Sequence, residues 1–177
     1  KIEEFFGNGK KFGVHITYSV ENGPLGTGGA LLAAEKMLGP RFFMLNGDNI
    51  ADFHLTQMAR EHIANGALGT IALTPVDDVS GFGVARVEGK KIAEFVEKHG
   101  AGKAPGNLVN AGTYVLEKES LGLLPPGFSL IERTAFPALA RSGRLFCHIH
   151  RGCWLTTDTP QRLEAAGKGV RGGLLKA

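Results

Sequence analysis

Val14 to Val20 sets Val, Ile, Tyr and Val against His, Thr and Ser in strict alternation, the period of two that marks a half-buried strand. Ala, Leu, Glu and Lys then dominate Thr27 to Leu38, which predicts a helix stopped by Gly39-Pro40. The apolar run Arg41 to Asn46, RFFMLN, is too short for a helix and fits a buried parallel strand closed by Gly47-Asp48. Leu55 to Asn65 reads as a second helix with Gly66 as its stop, followed by a strand at Leu68 to Val76. The order β-α-β-α-β predicts an α/β fold: a Rossmann-like, mostly parallel sheet with helices on both faces and ligands at the C-terminal ends of its strands.

From Asp77 the rhythm changes. Gly83 to Val87, Lys91 to Glu97 and Leu108 to Leu116 are strand candidates joined by short turns, so the sheet is expected to gain a mixed or antiparallel extension. Helices at Lys118 to Leu124 and Ile131 to Ser142, a strand at Leu145 to His150 and a last helix after Thr159-Pro160 complete the series. The glycine- and lysine-rich tail GKGVRGGLLKA is expected to be mobile. The opening, KIEEFFGNGKKFGVHITYSV, reads as the end of a helix and a turn into a strand, with no earlier strand to pair with. An upstream segment is therefore expected.

At 177 residues the chain suits one domain able to bury roughly 70% of its unfolded surface. Its 26 glycines are about twice the usual share of roughly 7%, so unusual dihedrals or close approaches are expected at several positions. A formal charge of +3 with no run of five basic residues favours phosphorylated small molecules over nucleic acid as partners. No apolar stretch approaches the roughly 20 residues that span a bilayer, so no membrane partner is expected. Cys147 and Cys153 form no metal-ligand pattern and nothing resembles a signal peptide, which makes the cytoplasm the expected location.

Asp48 ends the strand MLNGDN, where a carboxylate at the sheet's C-terminal edge is placed to hold Mg²⁺ beside a nucleotide; alone, Asn-Gly-Asp-Asn is equally a turn. GPLGTGGAL at 23 to 31 is either a loop whose backbone meets a base or phosphate, or a plain tight turn. Glu97-Lys98 would bind sugar hydroxyls and phosphate, or form a solvated strand end. Gly112, after Asn110, marks either ligand approach or a bulge. His148 and His150, two apart, read as structural, and Trp154 reads as a buried strand-end anchor.

Taken in order, GNGKKFGVHITYSVENGPLGTGGAL, FFMLNGDN, VDDVSGFGVARV, IAEFVEKHG, LVNAGTYVLEKESL, IERTAFPALARSGRL and CWLTTDTPQRLEAA resemble the sugar-1-phosphate nucleotidyltransferases. The resemblance is strongest to the mannose-1-phosphate guanylyltransferase branch with its heptose relatives, and runs to about residue 166. It implies nucleotidyl transfer from a nucleoside triphosphate, GTP foremost, to a sugar 1-phosphate such as mannose 1-phosphate, with pyrophosphate as the other product. By the same match, Asp48 and Lys98 would be catalytic, and Pro24, Gly26, Thr27, Gly28 and Gly29 would shape the nucleobase pocket with Asn46 and Gly47 beside it. Gly83, Glu97, Lys98 and Asn110 would line the sugar-phosphate side, and Asp48 would hold Mg²⁺, joined by Asp158 if its loop shifts; if it does not, the second carboxylate is lost and metal affinity is expected to fall.

The expected division is a nucleotide-binding part at about 14–76 and a sugar-phosphate part at about 77–166; a homo-oligomer is left open. Two departures bear on activity. The family's opening signature, G-G-x-G-T-R-L-x-P-L-T with its following P-K-P motif, is absent, so a chain beginning at Lys1 is expected to be a poor catalyst. The late W-x-D-I-G-T-P motif reads Trp154-Leu-Thr-Thr-Asp158-Thr-Pro160, with Thr156 at the aspartate position and Asp158 two residues on. These departures keep open a catalytically silent, nucleotide-sugar-binding regulatory module of the same fold.

Overall fold

The computed structural model describes residues 1–97 and 104–174. In chain order the elements are α1 Ile2–Phe6, α2 Gly26–Ala33, β1 Arg41–Leu45, β2 Asn49–Ala51, α3 Leu55–Ala64, β3 Gly69–Pro75, β4 Val84–Glu88, β5 Lys91–Val96, β6 Leu108–Glu117, α4 Ala135–Arg141, β7 Leu145–Ile149, β8 Trp154–Thr156 and α5 Pro160–Arg171. Six strands form one sheet in the order β1-β6-β3-β7-β5-β4, and β2 pairs with β8 in a separate ribbon. β3 and β7 pair in parallel. β6 runs against β1, β3 and β4, and β5 runs against β4 and β7, so β1, β3, β4 and β7 share one direction. The mixed sheet arises because hairpin-like connections after Asp77 insert β5 and β6 against the common direction.

β3 is buried at nearly every position because both its faces are covered. Ile71 and Leu73 join Tyr114, Leu116, Phe136, Leu139 and Cys147 in the main core, on the α4 side. Ala72 points the other way, to Met58 of α3 with Ala111 and Val115. Each large side chain buried fully in this way contributes about 1.5–3 kcal/mol. Helix α3 starts where the His54 ring accepts the Gln57 amide at 3.2 Å, and stops at Gly66, which adopts φ +59°.

β6 bulges against β3, since two steps along β3 (Ile71 to Leu73) match four along β6 (Tyr114 to Asn110). Gly112 sits in the bulge at φ +71°, a left-handed backbone that L side chains resist. The bulge brings the Asn110 side-chain amide to the Tyr114 hydroxyl at 2.9 Å and lets the Gly112 carbonyl accept the Asn46 amide at 2.8 Å.

Several expectations are corrected. Val14 to Val20 belongs to no strand: Val14 is 54% and Val20 79% exposed, and the segment pairs with no described strand. Alternation records which faces a segment could offer, but a ladder needs a neighbour for its amides and carbonyls. Lys118–Leu123 is a 3-10 turn tightened by the Ser120 hydroxyl donating to the Glu117 carbonyl at 2.7 Å. The helix expected from Ile131 starts at Ala135, because Pro137 has no amide proton to give and is tolerated only in a first turn. The expected mobile tail is helical as far as Arg171: Thr159 accepts the Arg162 amide at 3.2 Å, Pro160 opens α5, and Ala166 is buried.

A buried titratable group in α3 gives the fold a pH dependence. His62 is fully buried, with Nδ1 2.8 Å from the Thr70 hydroxyl and Nε2 3.2 Å from Glu117, which Arg41 also holds at 2.5 Å. Burial, the largest influence, pulls the His62 pKa below that of ordinary imidazole, with Glu117 opposing it. An unfolded histidine takes up its proton near about pH 6.5 while folded His62 resists, so His62-linked stability is complete above that pH and is lost as pH falls through the folded pKa. Urea midpoints are expected to drop from pH 7 to pH 5, and the gap between wild type and His62→Asn should narrow over the same range. Parallel curves for the two proteins would assign the acid loss to other groups.

Candidate active site

The loop after β1 is pinned to the loop after β8. Thr157 donates both its amide, at 2.7 Å, and its hydroxyl, at 2.9 Å, to the Asp48 carbonyl, and Asn49 pairs with Thr156 across the β2–β8 ribbon. The Trp154 indole N–H donates to the Ala111 carbonyl at 3.1 Å, which ties the ribbon to the β6 bulge. Trp154 is half-buried and its ring lies 5.5 Å from Phe82, so it is a wall of the site as well as an anchor.

These contacts enclose a cavity of about 310 Å³ at the C-terminal ends of β1 and β5. Thr27, Asn46 and Asp48 line it from the parts expected to hold the nucleotide, and Gly83, Glu97 and Asn110 from the sugar-phosphate side. Asp158 and Thr156 complete the rim. The chain thus brings together seven of the residues to which the resemblance gives a site role, Thr27, Asn46, Asp48, Gly83, Glu97, Asn110 and Asp158. Lys98 lies outside the described residues.

Pro24, Gly26, Gly28, Gly29 and Gly47 are not among the lining residues. Three of these glycines have a packing explanation. A Cβ on Gly26 would sit 2.5 Å from the Ser129 carbonyl oxygen, one on Gly28 would sit 2.6 Å from the Ser129 hydroxyl, and one on Gly29 would collide with the Gly127 carbonyl. The Gly28 amide donates to the Ser129 carbonyl at 2.8 Å and Ser129 donates back to Leu25 at 2.9 Å. The close approach that the glycine-rich stretch permits is to the chain's own 127–130 segment, which seats the start of α2 against the cavity.

Gly83 is shaped by Glu97. Its carbonyl accepts the Asn110 amide at 2.8 Å, and a Cβ there would lie 2.6 Å from Glu97 Oε2 and 2.9 Å from the Phe95 ring. If the cavity takes the two substrates the sequence resemblance implies, a sugar phosphate and a nucleotide, Gly83→Ala is expected to displace the Glu97 carboxylate and raise KM for the first about tenfold with KM for the second unchanged. Steady-state kinetics with each substrate varied in turn checks this; an equal rise for both substrates would contradict the local effect.

Asp158 donates nothing and accepts both carboxylate bonds from one Arg162 nitrogen, at 3.0 Å each. The Arg162 hydrogen bond is the chief reason its pKa lies below the usual carboxylate range. Tyr114 behaves oppositely: burial first, then the charges of Glu132, Glu97 and Asp48, push its phenol far above the ordinary value. Sequence reasoning missed Glu132, a buried carboxylate on the cavity wall that receives the Thr27 hydroxyl at 2.6 Å. Its signal was an acid set among apolar residues in SLIERTAF. Asn49, whose side chain reaches the Ala111 carbonyl at 3.4 Å, was missed because the β2–β8 pair is too short to leave a periodic signal.

Residues 1–169 match the nucleotidyl transferase family. The chain belongs to that family. It is 38% identical over 156 residues to the mannose-1-phosphate guanylyltransferase catalytic subunit beta of Dictyostelium discoideum, an alignment that covers 86% of this chain and 43% of that protein. A mannose-1-phosphate guanyltransferase of Candida albicans is 38% identical over 158 residues, with the same two coverages. The chain therefore spans less than half the length of these relatives. In structure it matches a protein described as a glucose-1-phosphate thymidylyltransferase from Bacillus anthracis, with a TM-score of 0.86 and 26% identity, over 99% of this chain and 73% of that one.

The cavity of this family member is acidic among its described lining residues. Asp48, Glu97, Glu132 and Asp158 line it, and no lysine or arginine does among the described residues. An anionic group there would meet four acids among the described lining residues. No group of three or more metal-ligating side chains is present among the described residues. Asp48 and Asp158 nonetheless offer hard oxygen donors on adjoining loops, a set that fits Mg²⁺, which is commonly held by one or two carboxylates with phosphate oxygens completing its shell.

Proposed function

We propose that the protein transfers a nucleotidyl group from GTP to mannose 1-phosphate or a similar sugar 1-phosphate, releasing pyrophosphate. The observation that carries this reading is the single cavity at the strand ends, where Thr27, Asn46 and Asp48 meet Gly83, Glu97 and Asn110. An oxygen of the sugar phosphate attacks the α-phosphorus of the nucleotide in line. The new P–O bond forms as the bond to the bridging oxygen of the β-phosphate breaks, and pyrophosphate carries away the electron pair. Such chemistry depends mainly on positioning and charge neutralisation.

The chain's own residues divide that work. Asn110, fixed by the bulge at Gly112, and Glu97, packed beside Gly83, orient the sugar, with Lys98 proposed for its phosphate. Asp48 and Asp158 would hold Mg²⁺, which when bound neutralises phosphate charge. The Arg162 bond to Asp158 must loosen for that carboxylate to serve. The Asp48 carboxylate, by contrast, accepts no hydrogen bond among the described residues and is exposed at the rim, so it takes the larger share.

Thr156, on the cavity rim at the position of the family's aspartate, favours a second reading, a module that binds nucleotide sugar without turnover. Initial rates of pyrophosphate release across a panel of nucleotides and sugar 1-phosphates with Mg²⁺ separate the two. Release with GTP and one sugar supports the enzyme; Mg²⁺-dependent nucleotide binding without release supports the module.

A further inference from the structure

We infer that Glu132 accepts a hydrogen bond from a hydroxyl of the sugar substrate, with Thr27 as the positioning residue that aims it. The inference rests on the nucleotidyl-transfer reading above and names a recognition contact within it. Glu132 is 8% exposed, lines the cavity, and forms no ion pair with any described cation. Its one hydrogen bond among the described residues joins Oε2 to the Thr27 hydroxyl, at 2.6 Å; Oε1 has none. Oε1 is not among the buried atoms that lack a partner, so it opens to the cavity, where a ligand's donor can reach it.

The Thr27 hydroxyl is committed to this arrangement. Its oxygen accepts the Ile131 amide at 3.0 Å, so its only proton goes to Glu132, and the side chain holds one orientation. Thr27 itself is fixed at the start of α2, where the neighbouring Gly28 amide is bonded to Ser129. The carboxylate is thereby held by two segments far apart in sequence, with one oxygen left for a ligand.

The chemistry of that ligand follows from the charges. Glu132 can only accept, and it shares the cavity with Asp48, Glu97 and Asp158, so a phosphate oxygen is repelled and a hydroxyl is favoured. Asn110 and Glu97, proposed for the sugar, line the same cavity as Glu132, and Tyr114, bonded to Asn110, feels the charges of Glu132, Glu97 and Asp48. Two acceptor carboxylates on one cavity suit a polyol ring that presents several hydroxyls.

The test measures pyrophosphate release by wild type, Glu132→Gln and Thr27→Val with mannose 1-phosphate and each of its monodeoxy analogues, and with GTP and its ribose-deoxy analogues. Wild type should lose at least about tenfold in kcat/KM when one particular sugar hydroxyl is removed. Glu132→Gln should lose a similar factor with the parent sugar, chiefly through KM for the sugar phosphate, and become indifferent to that hydroxyl. Thr27→Val, which keeps the carboxylate and removes its positioning donor, should show the same pattern in smaller measure. If both variants discriminate among the deoxy sugars as wild type does, or if the change falls on the ribose series, the assignment to a sugar hydroxyl is overturned. Absence of wild-type turnover with every sugar phosphate would instead remove the nucleotidyl-transfer reading, and this contact with it.

Discussion

Asp48→Asn is expected to cut pyrophosphate release by a factor of about 100 to 1,000 while leaving the fold unchanged. The side chain stands exposed at the end of the β1 loop and makes no hydrogen bond among the described residues. What the fold uses at this position is the main-chain carbonyl, which takes both Thr157 bonds and survives the substitution. Asparagine preserves shape and removes the charge that the phosphates' counter-ion requires. A surface change of this kind alters stability by no more than about 0.5 kcal/mol. Initial rates at saturating substrates, together with a urea unfolding curve, check both halves. Full turnover in the variant would show that Asp48 holds no part of the reacting charge.

Gly112→Ala should be costly in a different way, losing about 1–3 kcal/mol of stability together with most of the activity. Part of the cost is the left-handed backbone, at φ +71°. The rest is crowding, because a Cβ would collide with the Asn49 amide and lie 3.0 Å from the Asn46 side chain. Both asparagines line the cavity, and Asn49 begins the ribbon that holds the Asp48 and Asp158 loops together. Gly89→Ala supplies the control, since Gly89 has φ +63° with open space where its Cβ would be. Urea midpoints should place Gly112→Ala well below Gly89→Ala. Equal losses would mean that backbone strain accounts for everything and that the Asn46–Asn49 packing contributes nothing.

The sequence disclosed the parts of this molecule that leave a periodic or local signature. β3 and the helix Leu55–Ala64 were legible because burial on two faces and a stop at Gly66 are written into their composition. The strand after Leu108 was legible too, although its bulge was not, since a glycine within a strand fits ligand approach and irregular pairing equally well. Val14 to Val20 misled because alternation carries no information about whether a neighbouring strand exists. The β2–β8 ribbon of three residues on each side lies below the length at which any period shows, yet it aligns the two aspartate loops.

The candidate site was legible mainly through the joint order of its motifs, seven of whose residues line one cavity. Glu132 escaped because its meaning depends on Thr27, 105 positions away. The glycines at 26, 28 and 29 had an intramolecular partner that no local reading could find, the segment at 127–130 that passes against them.

The central claim is that this cavity joins a nucleotide to a sugar phosphate, and phosphorus NMR of the protein with GTP, mannose 1-phosphate and Mg²⁺ tests it most directly. The account predicts that the triphosphate and sugar-phosphate signals decline together while the paired resonances of a nucleotide sugar and the single resonance of pyrophosphate grow in equal amounts. Triphosphate that persists unchanged, or that decays to diphosphate and inorganic phosphate with the sugar phosphate untouched, would contradict it.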